Sequence, residues 1–363
     1  MTGLSLSAGT EAVVVARAMR LLSPRSMLGL EQIAIAPPRD HQVLLAISAC
    51  GVCRTDLHLI DGELPQASYP VTPGHEIVGR IVRLGAAVSR FNVGDRIGVP
   101  WLARSCGRCR YCRAGTENLC DRPAFTGCTV DGGYATHALA DARFCLPIPA
   151  RYTDSQAAPL LCAGLIGYRA YRACGDPRSI GLYGFGAAAH LLAQVAVAQD
   201  CRVFAFTRPG DREGQHFARE VGAAWAGGSD EPPPEFLDAA IIFAPAGSLV
   251  PAALAAVRKG GRVVCAGIHM SDIPQFPYQL LWGERSVCSV ANLTRADGQE
   301  FMRVAEQIAL RPVVQEFEFA QANAALEALR AGRMRGAAVL TMKGEHPGVI
   351  LRTDYPCKPQ SAT

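Results

Sequence analysis

The sequence predicts an α/β protein of about two domains, a β-rich first half followed by a doubly wound parallel sheet. Three observations carry that prediction. The chain has 363 residues, 49% of them hydrophobic, where a domain takes roughly 100 to 200 residues. Up to about residue 150 the apolar runs are short and separated by Gly, Pro and Asp, as at 43–49, 77–84 and 96–99, which is the pattern of strands joined by turns. From about residue 153 strand-like runs at 179–183, 202–206, 239–244 and 262–266 alternate with helical stretches at 187–198 and 212–221. Such a βαβ series builds a parallel sheet.

The remaining segments fit around this frame. Residues 179–199 contain no Asp, Glu, Lys or Arg and are long enough to span a bilayer, but Gly184-Phe185-Gly186 divides them into a strand and a helix. Residues 232–234 are three prolines and read as a surface loop, 320–331 as a late helix, and the tail from Lys343 as a loosely packed extension without periodicity. The first twenty residues have no apolar core followed by a small-residue cleavage site, so no secretory signal is expected and a cytoplasmic location is. With 36 Lys and Arg against 32 Asp and Glu, the net charge is only +4. That points away from nucleic acid and membrane and toward a small-molecule partner.

Fourteen cysteines in a reducing compartment need a purpose other than disulfides. Cys106, Cys109, Cys112 and Cys120 form Cys-x2-Cys-x2-Cys-x7-Cys, four thiolates that can close a tetrahedron around Zn²⁺. Arg108, Arg110 and Arg113 lie between and beside them, a composition foreign to a core strand. A dispersed set, Cys53, His75 and Cys162, supplies three ligands of Cys₂His type and leaves the fourth metal position open for water or substrate. Two thiolates cancel the charge of the ion, so an alkoxide can bind without large charge accumulation. A third signal, Gly184-Phe-Gly186-Ala187-Ala-Ala189, follows a predicted strand and opens a predicted helix, the context that a dinucleotide loop requires. The first Gly permits the tight turn, the second lets backbone approach a pyrophosphate, and Ala189 takes the close-packing third position.

Together, Gly74-His75-Glu76, Gly79 and Gly85, with Cys53 upstream and the cysteine lobe and dinucleotide loop downstream, resemble the zinc-dependent alcohol dehydrogenases of the medium-chain dehydrogenase/reductase superfamily. The resemblance covers about residues 12–342. It implies a GroES-like catalytic domain over 1–152 with a structural zinc lobe near 104–121, a Rossmann domain over 153–291, and a return to the catalytic domain over 292–363. It also implies two zinc ions per chain, one catalytic and one structural, with NAD or NADP. By motif, Cys53, His75 and Cys162 match the catalytic zinc ligands, Glu76 the acid behind the metal, and Asp56 the partner of the ligand histidine. Thr55 matches the hydroxyl that takes the alcohol proton. Many relatives carry a histidine directly after the first cysteine, where this chain has Arg54, which cannot act as a base; His58, one helical turn from Thr55, is the substitute. Trp101 matches a position that lines the substrate pocket.

The second strand of the series ends in Thr207 and Arg208, where an acid would bind the adenosine ribose and an Arg can receive a 2′-phosphate. NADP is therefore admitted beside NAD, with Arg212 as a second contact. Relatives carry an arginine for the pyrophosphate at the position of Ala337, and Arg335 is the expected replacement. The expected activity is reversible oxidation of a primary alcohol to an aldehyde, because Trp101 narrows the pocket and no polyol-binding carboxylate pair is visible. The alternatives are an aldehyde reductase of different substrate range, a zinc-free quinone or enoyl reductase of the same fold, and a non-catalytic zinc- and nucleotide-binding protein. A homodimer or homotetramer, paired through an edge strand at 287–291, follows from the resemblance.

Overall fold

The computed structural model describes residues 13–344 and the backbone of Ile350–Leu351. Two large sheets organise it. The first has seven strands built around Gln42–Val52, which pairs antiparallel with Ile77–Leu84, His137–Asp141 and Ala337–Thr341. Arg96–Val99 and Leu146–Pro147 extend it on one side and Val314–Glu318 on the other. Strands from both ends of the chain thus share one sheet.

The second sheet is parallel, and its six strands run in the spatial order Trp225–Gly228, Arg202–Thr207, Ser179–Tyr183, Leu237–Ile242, Val257–Cys265, Ser286–Ser289. This is the doubly wound order in which the chain reverses direction beside the first strand. Alternation along each strand explains the two helical layers. Ile180, Leu182, Val203 and Ala205 join the core under helices Ala163–Ala173 and Ala187–Ala198. Tyr183, Phe204 and Phe206 turn the other way, into the core with helix Leu249–Ala256. Both of the predicted sheet classes are present.

Element limits differ where a signal was longer or shorter than its apolar run. The expected strand at 262–266 begins earlier, at Val257, because Gly260 in the left-handed region (φ 76°) carries the chain through an irregularity that sequence periodicity does not mark. The late helix splits into a tight turn, Phe319–Gln321, and helix Ala322–Arg330. The edge strand is Ser286–Ser289, two residues short of the expected end. The tail beyond Lys343 lies mostly outside the described residues. Among the described residues no helix is long and apolar enough to cross a membrane.

Candidate active site and metal centres

Strand register brings the dispersed ligands together. Cys50 lies opposite Ile77 across an antiparallel pair, so the residues just beyond the strand ends, Cys53 and His75, approach each other. Their side chains meet with Sγ 3.0 Å from Nε2. Ile77 in turn lies opposite Val99, and the same arithmetic sets Trp101 beside His75, where the two rings meet edge-on with centroids 5.0 Å apart. Cys162 arrives from a different direction. The turn Ala158–Leu161 passes over Gly98, where even a methyl group would come within 2.5 Å of Leu161 Cδ2. That close approach delivers Cys162, the residue before helix Ala163–Ala173.

Local capping fixes the orientation of Cys53. It precedes helix Arg54–Asp61, its Sγ accepts the Thr55 N–H at 3.3 Å, and the Asp56 carboxylate accepts the Cys53 N–H at 2.9 Å. This reciprocal pair satisfies orphan donors of the first turn. The other Asp56 oxygen accepts the Gly74 N–H at 3.3 Å and lies 3.4 Å from His75 Nδ1. The latter contact is long for a hydrogen bond, but it leaves Nε2 directed at Cys53.

Ligand atoms of Cys53, His75, Glu76 and Cys162 all lie within 4.8 Å of one another. Burial and the charge of Cys53 push the Glu76 carboxyl well above the ordinary carboxylate range. A hydrogen bond from Cys162, with help from the His75 charge, holds the Cys53 thiol well below its ordinary value. Two sulfurs, one imidazole and a buried acid form a donor set suited to zinc.

The four lobe cysteines also have ligand atoms within 4.8 Å of one another. Sγ separations of 3.5 Å for Cys109 to Cys112 and 4.0 Å for Cys106 to Cys112 bracket the edge of about 3.8 Å of a tetrahedron with metal–sulfur bonds near 2.3 Å. Hydrogen bonds from the Arg108 and Cys109 N–H groups lower the Cys106 thiol to about 6, and Cys120 Sγ accepts the Cys106 and Arg122 N–H groups. Backbone N–H groups thus favour the thiolate at Cys106 and Cys109, whereas burial pushes the Cys120 thiol up to about 11.

At the dinucleotide loop, Gly184 is left-handed (φ 89°), and an added Cβ would lie 3.0 Å from the Ala244 nitrogen. Gly186 precedes helix Ala187–Ala198 without any side-chain cap, so the first-turn N–H groups remain available to an anion. Ala189 is fully buried. Arg335 pairs with Glu220 and lies 4.7 Å over the Phe217 ring, which meets Phe185 of the loop edge-on. Thr207 turns inward instead. It is 4% exposed, and its hydroxyl lies 3.1 Å from the Arg208 carbonyl oxygen and 3.3 Å from that of Gly227. Arg208 is exposed and lies beside Gly332.

His58 sits one turn after Thr55 on the same helix, with Nδ1 2.5 Å from Glu63 Oε2 and its ring 5.2 Å from that of His269. Neither Glu63 nor His269 was singled out from sequence. Helical spacing from His58 does not reach Glu63, which lies beyond the left-handed turn at Gly62, and His269 comes from the loop that follows strand Val257–Cys265 of the parallel sheet.

Comparison with known proteins decides the family. Residues 39–150 match the model of the alcohol dehydrogenase GroES-like domain and residues 226–340 that of the zinc-binding dehydrogenases. A probable alcohol dehydrogenase of Mycobacterium tuberculosis, AdhA, is 45% identical over 345 residues, covering 92% of this chain and 99% of its own. The chain belongs to the zinc-binding alcohol dehydrogenase family. An alcohol dehydrogenase of Geobacillus stearothermophilus is 33% identical over 88% of this chain and 97% of its own. The solved acetophenone reductase of Geotrichum candidum, in complex with NAD, superposes with a TM-score of 0.83 at 26% identity, covering 92% of this chain and 98% of that one. This family member is an oxidoreductase acting on alcohols, and its two donor clusters have the composition that zinc binding requires.

Proposed function

We propose that the enzyme reversibly oxidises a small primary alcohol to its aldehyde, with NAD or NADP as hydride acceptor. Cys53, His75 and Cys162 hold the catalytic zinc in this reading, and Cys106, Cys109, Cys112 and Cys120 the structural one. The carrying observation is the convergence of Cys53, His75, Glu76 and Cys162 within 4.8 Å, with only three of the four being the sulfur and nitrogen donors of an open site. Zinc bound there acts as a Lewis acid that lowers the pKa of an alcohol hydroxyl.

The chain's own groups do the rest. Asp56 fixes the His75 ring, and Glu76 stands behind the cluster as its oxygen donor. Thr55 Oγ1 accepts the alcohol proton as its own hydroxyl proton moves on toward His58, whose ring lies against Glu63. Trp101, packed on His75, narrows the pocket against branched substrates. The cofactor pyrophosphate lies on the N-terminus of helix Ala187–Ala198 against Gly184, Gly186, Ala187 and Ala189, with Arg335 on the loop side. The adenosine end reaches the end of strand Arg202–Thr207, where Arg208 meets a 2′-phosphate and Thr207 shapes the turn from inside. The NAD in complex with the acetophenone reductase of Geotrichum candidum supports the choice of a nicotinamide cofactor.

We divide the chain into a catalytic domain at 1–152, a nucleotide domain at 153–291 and a catalytic return at 292–363, which sheet membership supports. A cytoplasmic homodimer or homotetramer completes the reading, consistent with free cysteines throughout the described residues. Metal analysis combined with a kinetic panel of primary, secondary and polyhydroxy alcohols against both cofactors tests it. Two zinc ions per chain and a preference for primary alcohols are expected. One zinc or none in the purified wild type, or a kcat/KM that favours polyols, overturns it.

A further inference from the structure

The four-cysteine lobe grips the segment by which the chain leaves the parallel sheet. That segment, 290–294, runs from the end of strand Ser286–Ser289 to the start of helix Arg295–Ile308. Asn118 Nδ2 donates to the Ala291 carbonyl at 2.8 Å. One oxygen of Glu117 accepts both the Arg295 N–H at 3.0 Å and its Nε–H at 2.9 Å. Glu117 and Asn118 sit in the short turn immediately before Cys120, and both are buried. Between the two anchor points Asn292 takes a left-handed backbone conformation (φ 58°). The Asn292 amide oxygen and nitrogen and the Asn118 amide oxygen are buried without a partner.

Charge assistance makes the Glu117 contacts the stronger ones, and burial makes their loss costly. The segment they hold follows the carboxyl end of a parallel strand, the edge at which α/β sheets bind their ligands. The segment's own bonds hold its two ends, the Val290 N–H on the Cys265 carbonyl at 3.1 Å and the Thr294–Asp297 cap. Between them the lobe supplies the side-chain contact at Ala291, the residue before the left-handed turn at Asn292.

We infer that Glu117 and Asn118 are positioning residues for the nicotinamide end of the cofactor site, so that the structural metal lobe acts on dinucleotide binding as well as on stability. The inference rests on the cofactor placement proposed above. It makes a distinction that a purely structural lobe does not. Releasing the exit segment weakens binding of the whole dinucleotide but spares a ligand that lacks the nicotinamide, because the adenosine end is held on the far side of the sheet's first strand.

The test compares NADH, NADPH and ADP-ribose by equilibrium titration of the zinc-loaded full chain, with the wild type, Glu117→Ala, Glu117→Gln and Asn118→Ala. Glu117→Ala is expected to raise the dissociation constant of the preferred reduced dinucleotide at least fivefold and to leave that of ADP-ribose within twofold. Its KM for the cofactor should rise more than kcat falls. Glu117→Gln keeps an acceptor for both Arg295 donors and should recover most of the affinity. If Glu117→Ala loses zinc or fails to fold, Asn118→Ala carries the same comparison, with an expected rise of at least threefold for the dinucleotide alone. Equal effects on dinucleotide and ADP-ribose, or no effect on either, overturn the inference. A wild type that binds neither NADH nor NADPH overturns instead the cofactor placement on which it rests.

Discussion

At the scale of single residues, the site is built from groups whose obvious alternatives are already occupied. Cys53 caps its helix and is a ligand in the proposed reading, so its replacement by Ser keeps a capping hydroxyl while removing the thiolate. Cys53→Ser is expected to abolish turnover, to lower zinc from two to one per chain by metal analysis, and to leave the circular dichroism spectrum unchanged. Loss of both zinc ions would contradict separable sites. Trp101 stacks on Phe125 with centroids 5.0 Å apart as well as meeting His75, so truncation to Ala would cost about 3–5 kcal/mol of packing. Trp101→Leu is the cleaner probe. It should raise kcat/KM for secondary or branched alcohols relative to a linear primary alcohol at least fivefold, and an unchanged ratio would remove Trp101 from the pocket wall. The inward hydroxyl of Thr207 makes Arg208 the residue that probes cofactor choice. An Asp at that position would face two carbonyl oxygens in a buried site, whereas exposed Arg208 can be changed freely. Arg208→Ser should lower kcat/KM with NADP(H) about tenfold, roughly 1.4 kcal/mol, and with NAD(H) less than threefold. Equal losses with both cofactors would assign Arg208 to a contact common to them.

Elements set these residues at their distances, and small residues make the approach possible. Gly98 is the clearest case, because the turn that carries Cys162 lies directly against it. Gly98→Val should push Leu161 outward, cost about 1–3 kcal/mol by overpacking, and reduce catalytic zinc while the lobe zinc stays bound. Metal analysis after mild chelation distinguishes the two. Helix Ala187–Ala198 adds a pH dependence. Burial lowers its fully buried His190 to about 4, and Nε2 accepts the Val313 N–H at 3.2 Å, which requires a neutral ring. An unfolded histidine titrates near 6.5. Between those values the unfolded chain binds a proton that the folded chain refuses, so stability falls as pH drops from about 6.5 toward 4, by roughly 3 kcal/mol in all. Denaturant melts at pH 7 and pH 4.5 should show His190→Gln with a flatter profile than the wild type. Identical slopes would mean that His190 does not carry this dependence.

Across the whole molecule, what sequence could show was whatever one segment carries by itself. The four-cysteine spacing and the Gly184 loop each lie within one short stretch, so residue types and intervals revealed them directly. Cys53, His75 and Cys162 lie in three separate segments, so residue type alone suggests them as a set, and strand register and the turn against Gly98 explain how they meet. Contacts between segments far apart in the chain, such as His58 with His269 and Glu117 with Arg295, left no local signal, since each partner alone looks like an ordinary polar residue. Assembly is of the same kind, because it depends on which sheet edge remains open. At one edge of the parallel sheet, strand Trp225–Gly228 is followed by the acids Asp230 and Glu231, charges that oppose strand addition. At the other, strand Ser286–Ser289 follows Tyr278 and Trp282, exposed by 68% and 66%, with Ile268 and Ile273 about half exposed nearby in sequence. Pairing of two such edges would bury these exposed aromatic and aliphatic side chains. Light scattering at micromolar concentration should therefore give at least twice the 38.6 kDa chain mass. Val287→Lys combined with Trp282→Glu should shift the population toward monomer without removing either zinc, because neither residue touches a ligand cluster. A wild type that runs only as a single chain would mean that this apolar edge serves something other than pairing of the sheets.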